Sequence, residues 1–240
     1  MTTGAVSRHE AGAPVRALLF DMDGTLVDTE TQTDRSIEIV LARHGVPGYS
    51  LPVVETRGRT WSHVAGLILA QTGIGVSAER LCAELIEQWN LDTAVVKPIP
   101  GAVDALRAAA GAGLRLAIVS SSPRAVIGRI VDALGVGDLV GPAARVGGDE
   151  VRRGKPDPEC FLAGARLLGA TPAESLVFED SNAGLLAARA AGMRSVFITC
   201  CASDVAGNRP LAALAIEHYA ALPASFWREL AAGRLGSLTA

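Results

Sequence analysis

At 240 residues the chain is long for one compact domain and short for two, so a core domain carrying an insertion fits it. Apolar residues make up 49% and aromatics only 4%, which points to a core of aliphatic and Ala packing. A net charge of −3 without a basic run argues against a nucleic-acid partner, and no apolar stretch approaches the ~20 residues of a membrane span.

Residues 1–14 lack the apolar segment of a secretory signal and read as a loose tail. Residues 15–20 read as the first strand, whose apolar run, Ala17 to Phe20, ends in two carboxylates, Asp21 and Asp23, with Gly24 permitting a sharp turn and Thr25 following. Two acids two residues apart suit a hard cation such as Mg2+. Asp is also favoured in plain turns. A calcium loop wants Gly at its sixth position, whereas Gly24 is fourth. On this stretch alone the catalytic and turn-capping readings stand level.

Helical spacing of Ile37, Val40 and Leu41 runs over residues 30–44 and stops at Gly45. Residues 51–54 read as a short helix or turn, and residues 57–60 as a loop. A helix over residues 61–71 puts Val64, Leu67 and Ile68 on one face. Another begins near Ser77 with Leu81, Leu85, Ile86 and Trp89 in a stripe. The block from about 29 to 96 contains no convincing strand and reads as an all-helical insert.

Residues 98–101 form a break, and an Ala-rich helix follows over 102–110. A second strand, 114–119, ends in Ser120, Ser121, Ser122 and Pro123. Residues 124–134 are helical. The Gly-rich segment 135–148 reads as a loop with a short strand near Leu139, and its spacing fits no nucleotide-binding fingerprint. A polar connection, 150–158, carries Lys155. After a helix at 159–168, a third apolar run, 175–178, ends in Glu179 and Asp180. A helix at 182–191, strands at 195–199 and 214–218, and a closing helix at 224–232 complete the chain.

Alternating strands and helices after the insert predict an α/β fold: a doubly wound, mostly parallel sheet with helices on both faces. Right-handed crossovers bring the carboxyl ends of such strands to one edge. The polar ends of the apolar runs therefore converge. Asp21, Asp23 and Asp180 are expected to share Mg2+. Ser120 offers a hydroxyl and the helix after it offers N–H groups to an anion. Lys155 adds a compact positive charge. Such a set suits a phosphate dianion, with an Asp as nucleophile. Each piece also has a bland reading: a solvated loop lysine, a serine cluster capping a helix, acids capping the helix after them. Cys82, Cys160, Cys200 and Cys201 match neither a zinc pattern nor a CxxC pair, which suggests structural thiols in a reducing cytoplasm.

Four motifs in order resemble the haloacid dehalogenase superfamily of phosphohydrolases. They are Asp-Met-Asp-Gly-Thr-Leu-Val-Asp at residues 21–28, the strand ending in Ser120–Ser122, Gly-Lys-Pro-Asp-Pro at 154–158 and Phe-Glu-Asp-Ser-Asn-Ala-Gly at 178–184. The first is highly specific and the second is weak by itself. The resemblance spans residues 15 to about 225. It implies Asp21 as nucleophile and Asp23 as general acid/base. It implies Ser120 and Ser121 as phosphoryl-binding groups and Lys155 as the residue that positions the phosphoryl group. Asp180 would complete a Mg2+ site with Asp21 and the Asp23 main-chain carbonyl, and Glu179 would support it. It also implies a Rossmann-like core, 15–28 with 97–240, and a helical cap, 29–96, that closes over the site.

Asp23 separates the chain from the dehalogenases, because a leaving alkoxide needs a proton donor. The subgroup it resembles contains beta-phosphoglucomutase and the sugar-phosphate phosphatases. Those mutases carry His twelve residues after the nucleophile, where this chain has Thr33. The expected function is therefore a Mg2+-dependent phosphatase of a small phosphate ester, a sugar or polyol phosphate, working through an aspartyl-phosphate. A phosphomutase is the alternative, and a non-catalytic metabolite-binding protein is a third class. Arg59 is expected to bind substrate and Trp61 to stack on it, against the equal reading of a solvated arginine and a cap-core tryptophan. A monomer or weak dimer is expected.

Overall fold

The computed structural model describes residues 14–92 and 96–233. The expected tail, up to residue 13, and the last residues of the helical insert, 93–95, lie outside the described residues. In chain order the elements are β1 (Ala17–Phe20), α1 (Glu30–Arg43), α2 (Val53–Thr56), α3 (Trp61–Thr72), α4 (Ala78–Asp92), α5 (Ala102–Gly111), β2 (Arg115–Val119), α6 (Arg124–Leu134), β3 (Arg145–Val146), α7 (Glu159–Leu167), β4 (Ser175–Glu179), α8 (Asn182–Ala190), β5 (Arg194–Ile198), α9 (Val205–Asn208), β6 (Leu214–Ile216) and α10 (Phe226–Ala231). None of these helices is long and apolar enough to cross a membrane.

The six strands form one parallel sheet in the order β3-β2-β1-β4-β5-β6. Strand β1 is central, and both its faces are buried, which is why its run is continuously apolar rather than alternating. Side chains of a strand alternate between faces. Leu18 and Phe20 join one core with α5, α6 and α10. Ala17 and Leu19 join the second, smaller core with α7 and α8. Small residues dominate that second face. Gly164 in α7 lies against Leu19, where a Cβ would fall 2.4 Å from Leu19 Cδ2.

The strand order reverses direction between β1 and β4, the topological switch point where open α/β sheets form their crevice. The acids sit there: Asp21 follows β1, Glu179 ends β4 and Asp180 follows it.

Helices α1 to α4 lie between β1 and β2 and pack on one another. The chain leaves for this block and returns from it side by side. Asp28 N donates to Lys97 O and Ile99 N to Leu26 O. Helix α3 begins at Thr60, whose hydroxyl accepts from His63 N, and ends at Gly73 in the left-handed conformation that suits glycine.

One element lies elsewhere than expected. The short strand of the Gly-rich segment is β3 at Arg145–Val146, not near Leu139. Leu139 sits in a turn, with its N–H on Val136 O. A two-residue strand carries no periodicity to read. Its position is fixed by pairing with Ile118 and Val119 and by the buried Arg145 guanidinium, which donates to Val140 O at 2.9 and 3.1 Å.

Candidate active site

Lys155 stands at the centre. Its side chain is 1% exposed, and its Nζ lies 2.6 Å from Asp21 Oδ1 and 2.6 Å from Glu179 Oε1. The ring of Phe161 covers it, with Nζ 5.0 Å from the centroid. Burial alone would push an ammonium toward its neutral form, but Asp21 and Glu179 outweigh burial and hold Lys155 above the usual lysine range. A lone loop lysine has become a buried ion-pair partner of two strand ends.

Asp21, Glu179 and Asp180 form a buried acidic group whose oxygens lie within 4.8 Å of one another. Burial drives the Asp21 carboxyl up to about 8. Glu179 and Asp23 add to that rise, and Lys155 opposes it. Asp180 Oδ1 accepts from Thr25 Oγ1 at 3.1 Å, which ties the turn after β1 to the end of β4. Glu179 Oε2 accepts from Ser181 N at 2.7 Å and Ser181 Oγ at 2.9 Å. Gly184, in the first turn of α8, leaves room for the same carboxylate, which lies where a Cβ would stand.

Three buried carboxyl groups lie together with one ammonium, which pairs with two of them, so acidic oxygens outnumber the positive charge in a buried place. Hard oxygen donors of that number and spacing suit a hard divalent cation. The donor set therefore fits Mg2+, with Asp21, Asp180 and Glu179 as the side chains able to hold it.

The Asp23 carboxylate is not a member of this group. It accepts from Thr29 Oγ1 at 2.8 Å, Ser122 Oγ at 2.8 Å and Ser120 Oγ at 3.2 Å. Burial pushes its pKa up, and these three hydroxyls pull against that. Ser120 also accepts from Ser122 N at 3.0 Å. Ser121 does not reach Asp23 and donates to Gly58 O at 2.8 Å. Ser120 and Ser122 thus both reach Asp23, while Ser121 reaches the 57–60 loop. Sequence reasoning left Ser122 out of the site, and its place in the serine cluster after β2 was the signal available for it.

Residues 57–60, between α2 and α3, reach down to the sheet edge. Arg57 donates to Cys201 O and Arg59 Nη1 to Lys155 O at 3.0 Å. Arg59 Nε is buried and has no hydrogen-bond partner among the described residues. A pocket of about 500 Å3, counted to its open mouth, lies between this loop and the acids. Asp21, Asp23, Ser121 and Ser122 line one side, Arg57 and Arg59 another, and Thr33, Trp61, Val64 and Trp89 the wall contributed by α1, α3 and α4. Trp61 is 8% exposed and meets Trp89 edge-on at 6.5 Å. Thr33 is committed: its hydroxyl donates to Thr29 O and accepts from Trp89 Nε1.

Comparison with known proteins agrees with this geometry. The family model of haloacid dehalogenase-like hydrolases matches residues 15–192. Validoxylamine A 7'-phosphate phosphatase of Streptomyces hygroscopicus subsp. limoneus is 32% identical over 77% of this chain and 85% of its own. Hexitol phosphatase A of Escherichia coli is 31% identical over 76% of this chain and 82% of its own. In fold, the beta-phosphoglucomutase of Clostridium difficile superposes with a TM-score of 0.76 at 20% identity, covering 91% of this chain and 97% of that one. The chain belongs to the haloacid dehalogenase-like hydrolases.

Proposed function

We propose that the protein is a Mg2+-dependent phosphatase of a small phosphorylated metabolite, a sugar or polyol phosphate. The observation that carries this reading is the pair of acids with opposite environments. Asp21 faces Lys155 in the acidic group, and Asp23, two residues on, is held by three hydroxyls. Two nearby carboxyls in different surroundings take different roles in acid–base chemistry.

Asp21 attacks phosphorus, and its Oδ becomes the phosphoryl carrier in an aspartyl-phosphate. Asp23, whose carboxyl is raised by burial, gives its proton to the leaving alkoxide and then takes one from the water that hydrolyses the intermediate. Ser120 and Ser121 with Lys155 hold the phosphoryl oxygens. When bound by Asp21, Asp180 and Glu179, with the Asp23 main-chain carbonyl, Mg2+ supplies positive charge against the phosphoryl group. Residues 29–96 act as a cap that excludes water, and Arg59 and Trp61 meet the rest of the substrate. Relatives named for a hexitol and for validoxylamine A 7'-phosphate support a small hydroxylated substrate. Thr33 supports hydrolysis over mutase chemistry, since a threonine hydroxyl, unlike an imidazole, does not exchange protons near neutral pH, and this one is already taken up by Thr29 and Trp89. Cytoplasmic location goes with this metabolic reading.

The test is release of inorganic phosphate across a panel of sugar and polyol phosphates with Mg2+ present. Asp21→Asn should lose activity by roughly 10^3-fold or more. Undiminished release by that variant would overturn the reading, and a chelator that leaves turnover intact would remove Mg2+ from it.

A further inference from the structure

Trp89 lines the pocket from α4 and is only 2% exposed. Its Nε1 donates to Thr33 Oγ1 in α1 at 3.2 Å, and its ring meets Trp61 of α3 edge-on at 6.5 Å. Those two partners belong to the same block of inserted helices and line the same pocket. A further contact comes from the core. The Arg129 guanidinium of α6 lies over the Trp89 ring, with Cζ 5.7 Å from the centroid, and its Nη2 donates to Asn90 Oδ1 at 2.7 Å. Arg129 does not itself line the pocket. We propose that Arg129 is a positioning residue for the substrate: acting through Trp89, it sets how far the pocket wall on α4 stands from Asp21, and so which length of phosphate ester fits. This inference rests on the phosphatase reading and names a residue that decides its specificity.

Helices α1 to α4 leave and rejoin the core through two adjacent segments, tied by Asp28 N to Lys97 O and by Ile99 N to Leu26 O. A paired crossing of this kind is where one body turns against another. A turn about it changes the distance between a wall on α4 and an acid after β1. The 57–60 loop meets the core at Ser121 and Lys155, and Arg129 adds a tie from α6 to α4. Helix α6 begins at Arg124, just beyond Ser120–Ser122. One helix thus starts beside the serines of the phosphoryl site and carries the group that registers the opposite wall.

Arginine suits this task. A flat guanidinium can lie over an indole and donate from its edge at the same time, and here the acceptor is the amide oxygen of the next residue along α4. A lysine ammonium keeps the attraction to the ring but is a point charge without the fork. Arg129 and Asn90 are both half-buried, where a charge-assisted hydrogen bond is stronger than in open solvent. In the proposed site the phosphate end of any ester meets Asp21, Ser120 and Lys155, and only the organic part reaches Trp89. The position of the wall therefore bears on KM for the longer esters and leaves the affinity for inorganic phosphate alone.

The test compares the full chain with Arg129→Met, which keeps much of the side-chain length and removes the charge. The probes are glycerol phosphate, sorbitol phosphate and, as a competitive inhibitor, inorganic phosphate, all with Mg2+ present. For sorbitol phosphate KM should rise about tenfold with kcat held within about twofold, and the preference for sorbitol over glycerol phosphate should fall by the same factor. Ki for inorganic phosphate should not move. Arg129→Lys should recover part of the KM. Asn90→Ala should raise KM in the same sense, and adding Arg129→Met to it should cost less than Arg129→Met does alone. KM and Ki rising together, a loss confined to kcat, or strictly additive variants would overturn the proposal. Acrylamide quenching needs no turnover. Emission from Trp61 and Trp89 should open to the quencher by about twofold in Arg129→Met, with the buried Trp227 as a constant background. Unchanged quenching counts against the brace as firmly as an unchanged KM. A parent that releases no phosphate while the quenching difference stands would sink the phosphatase reading alone.

Discussion

Lys155 Nζ lies 2.6 Å from Asp21 Oδ1, with the two side chains 1% and 6% exposed. A pair so placed is costly to break from one side, because the remaining charge has neither water nor partner. Lys155→Met preserves most of the volume and removes the charge. It should destabilise the fold by about 3–5 kcal/mol at neutral pH. The sign with pH follows from Asp21, raised to about 8 in the fold. A carboxyl raised on folding stabilises below its unfolded value and loses that contribution as pH rises through the folded one. Without Lys155, whose charge opposes the rise, Asp21 rises further, so the deficit should shrink steadily as pH is lowered toward 5. Urea unfolding of both proteins between pH 5 and 8 checks this. A deficit that stays constant with pH would show that the lysine acts by packing alone.

Asp23 offers a separate test of the proton donor. Its carboxyl is raised by burial despite three hydroxyl donors. A general acid works while protonated, so turnover on an alkyl phosphate should fall as pH rises through that raised value. Asp23→Asn should lose about 10^2 to 10^4-fold on an alkyl phosphate. On p-nitrophenyl phosphate, whose leaving group needs little protonation, the loss should be much smaller. Stability moves the other way. A raised carboxyl opposes folding at neutral pH, so Asp23→Asn should melt no lower than the parent. Equal losses on the two substrates would remove Asp23 from the proton-donor role.

At Gly184 a Cβ would fall 1.7 Å from Glu179 Oε1 and 1.9 Å from its carboxyl carbon. Gly184→Ala therefore displaces Glu179 from Lys155 and Ser181. Overpacking of this kind costs about 1–3 kcal/mol, and the loss of buried contacts adds to it. The Mg2+ concentration for half-maximal activity should rise with it. Gly128→Ala in α6 is the control. Its nearest neighbour is Arg145 Nη1 at 3.4 Å, and an alanine in a helix gains up to about 1 kcal/mol over glycine. Thermal melts and a Mg2+ titration of the two variants separate displacement of Glu179 from a general effect of added methyl groups.

The site was legible where chemistry coincides with an element end. Asp21, Ser120 and Asp180 each terminate a buried apolar run, and parallel strands bring such ends together whatever the spacing between them. Lys155 sits in a connection: convergence of the polar strand ends offered it as a compact positive charge, a lone loop lysine remained the competing reading, and the resemblance added its placement against Asp21. The turn of the Asp23 carboxylate toward Thr29, Ser120 and Ser122 was not legible, because side-chain direction after a strand depends on the turn geometry. The fastening of residues 57–60 was hidden for another reason. Arg57, Gly58 and Arg59 make their contacts with Cys201, Ser181 and Lys155, at separations in sequence that no local pattern encodes.

Gly58 concentrates that hidden relationship. Its φ of +69° lies in the left-handed region, and a Cβ there would fall 2.3 Å from Ser181 Oγ and 3.0 Å from Ser181 Cβ. Gly58→Ala thus carries two costs: backbone strain of roughly 1–2 kcal/mol and a collision with the residue that holds Glu179. Gly58→Asn separates them, since asparagine tolerates this φ but carries the same Cβ. If strain dominates, Asn should restore most of what Ala loses. The 2.3 Å approach argues that collision dominates, so both variants should fail alike, with KM raised more than kcat is lowered because Arg57 and Arg59 shift with the loop. In a Ser181→Ala background the colliding hydroxyl is gone. The added cost of Gly58→Ala should then shrink by about 1 kcal/mol or more, a coupling that residues out of contact do not show. Strictly additive costs in that double-mutant cycle would mean that the loop does not bear on Ser181 in solution.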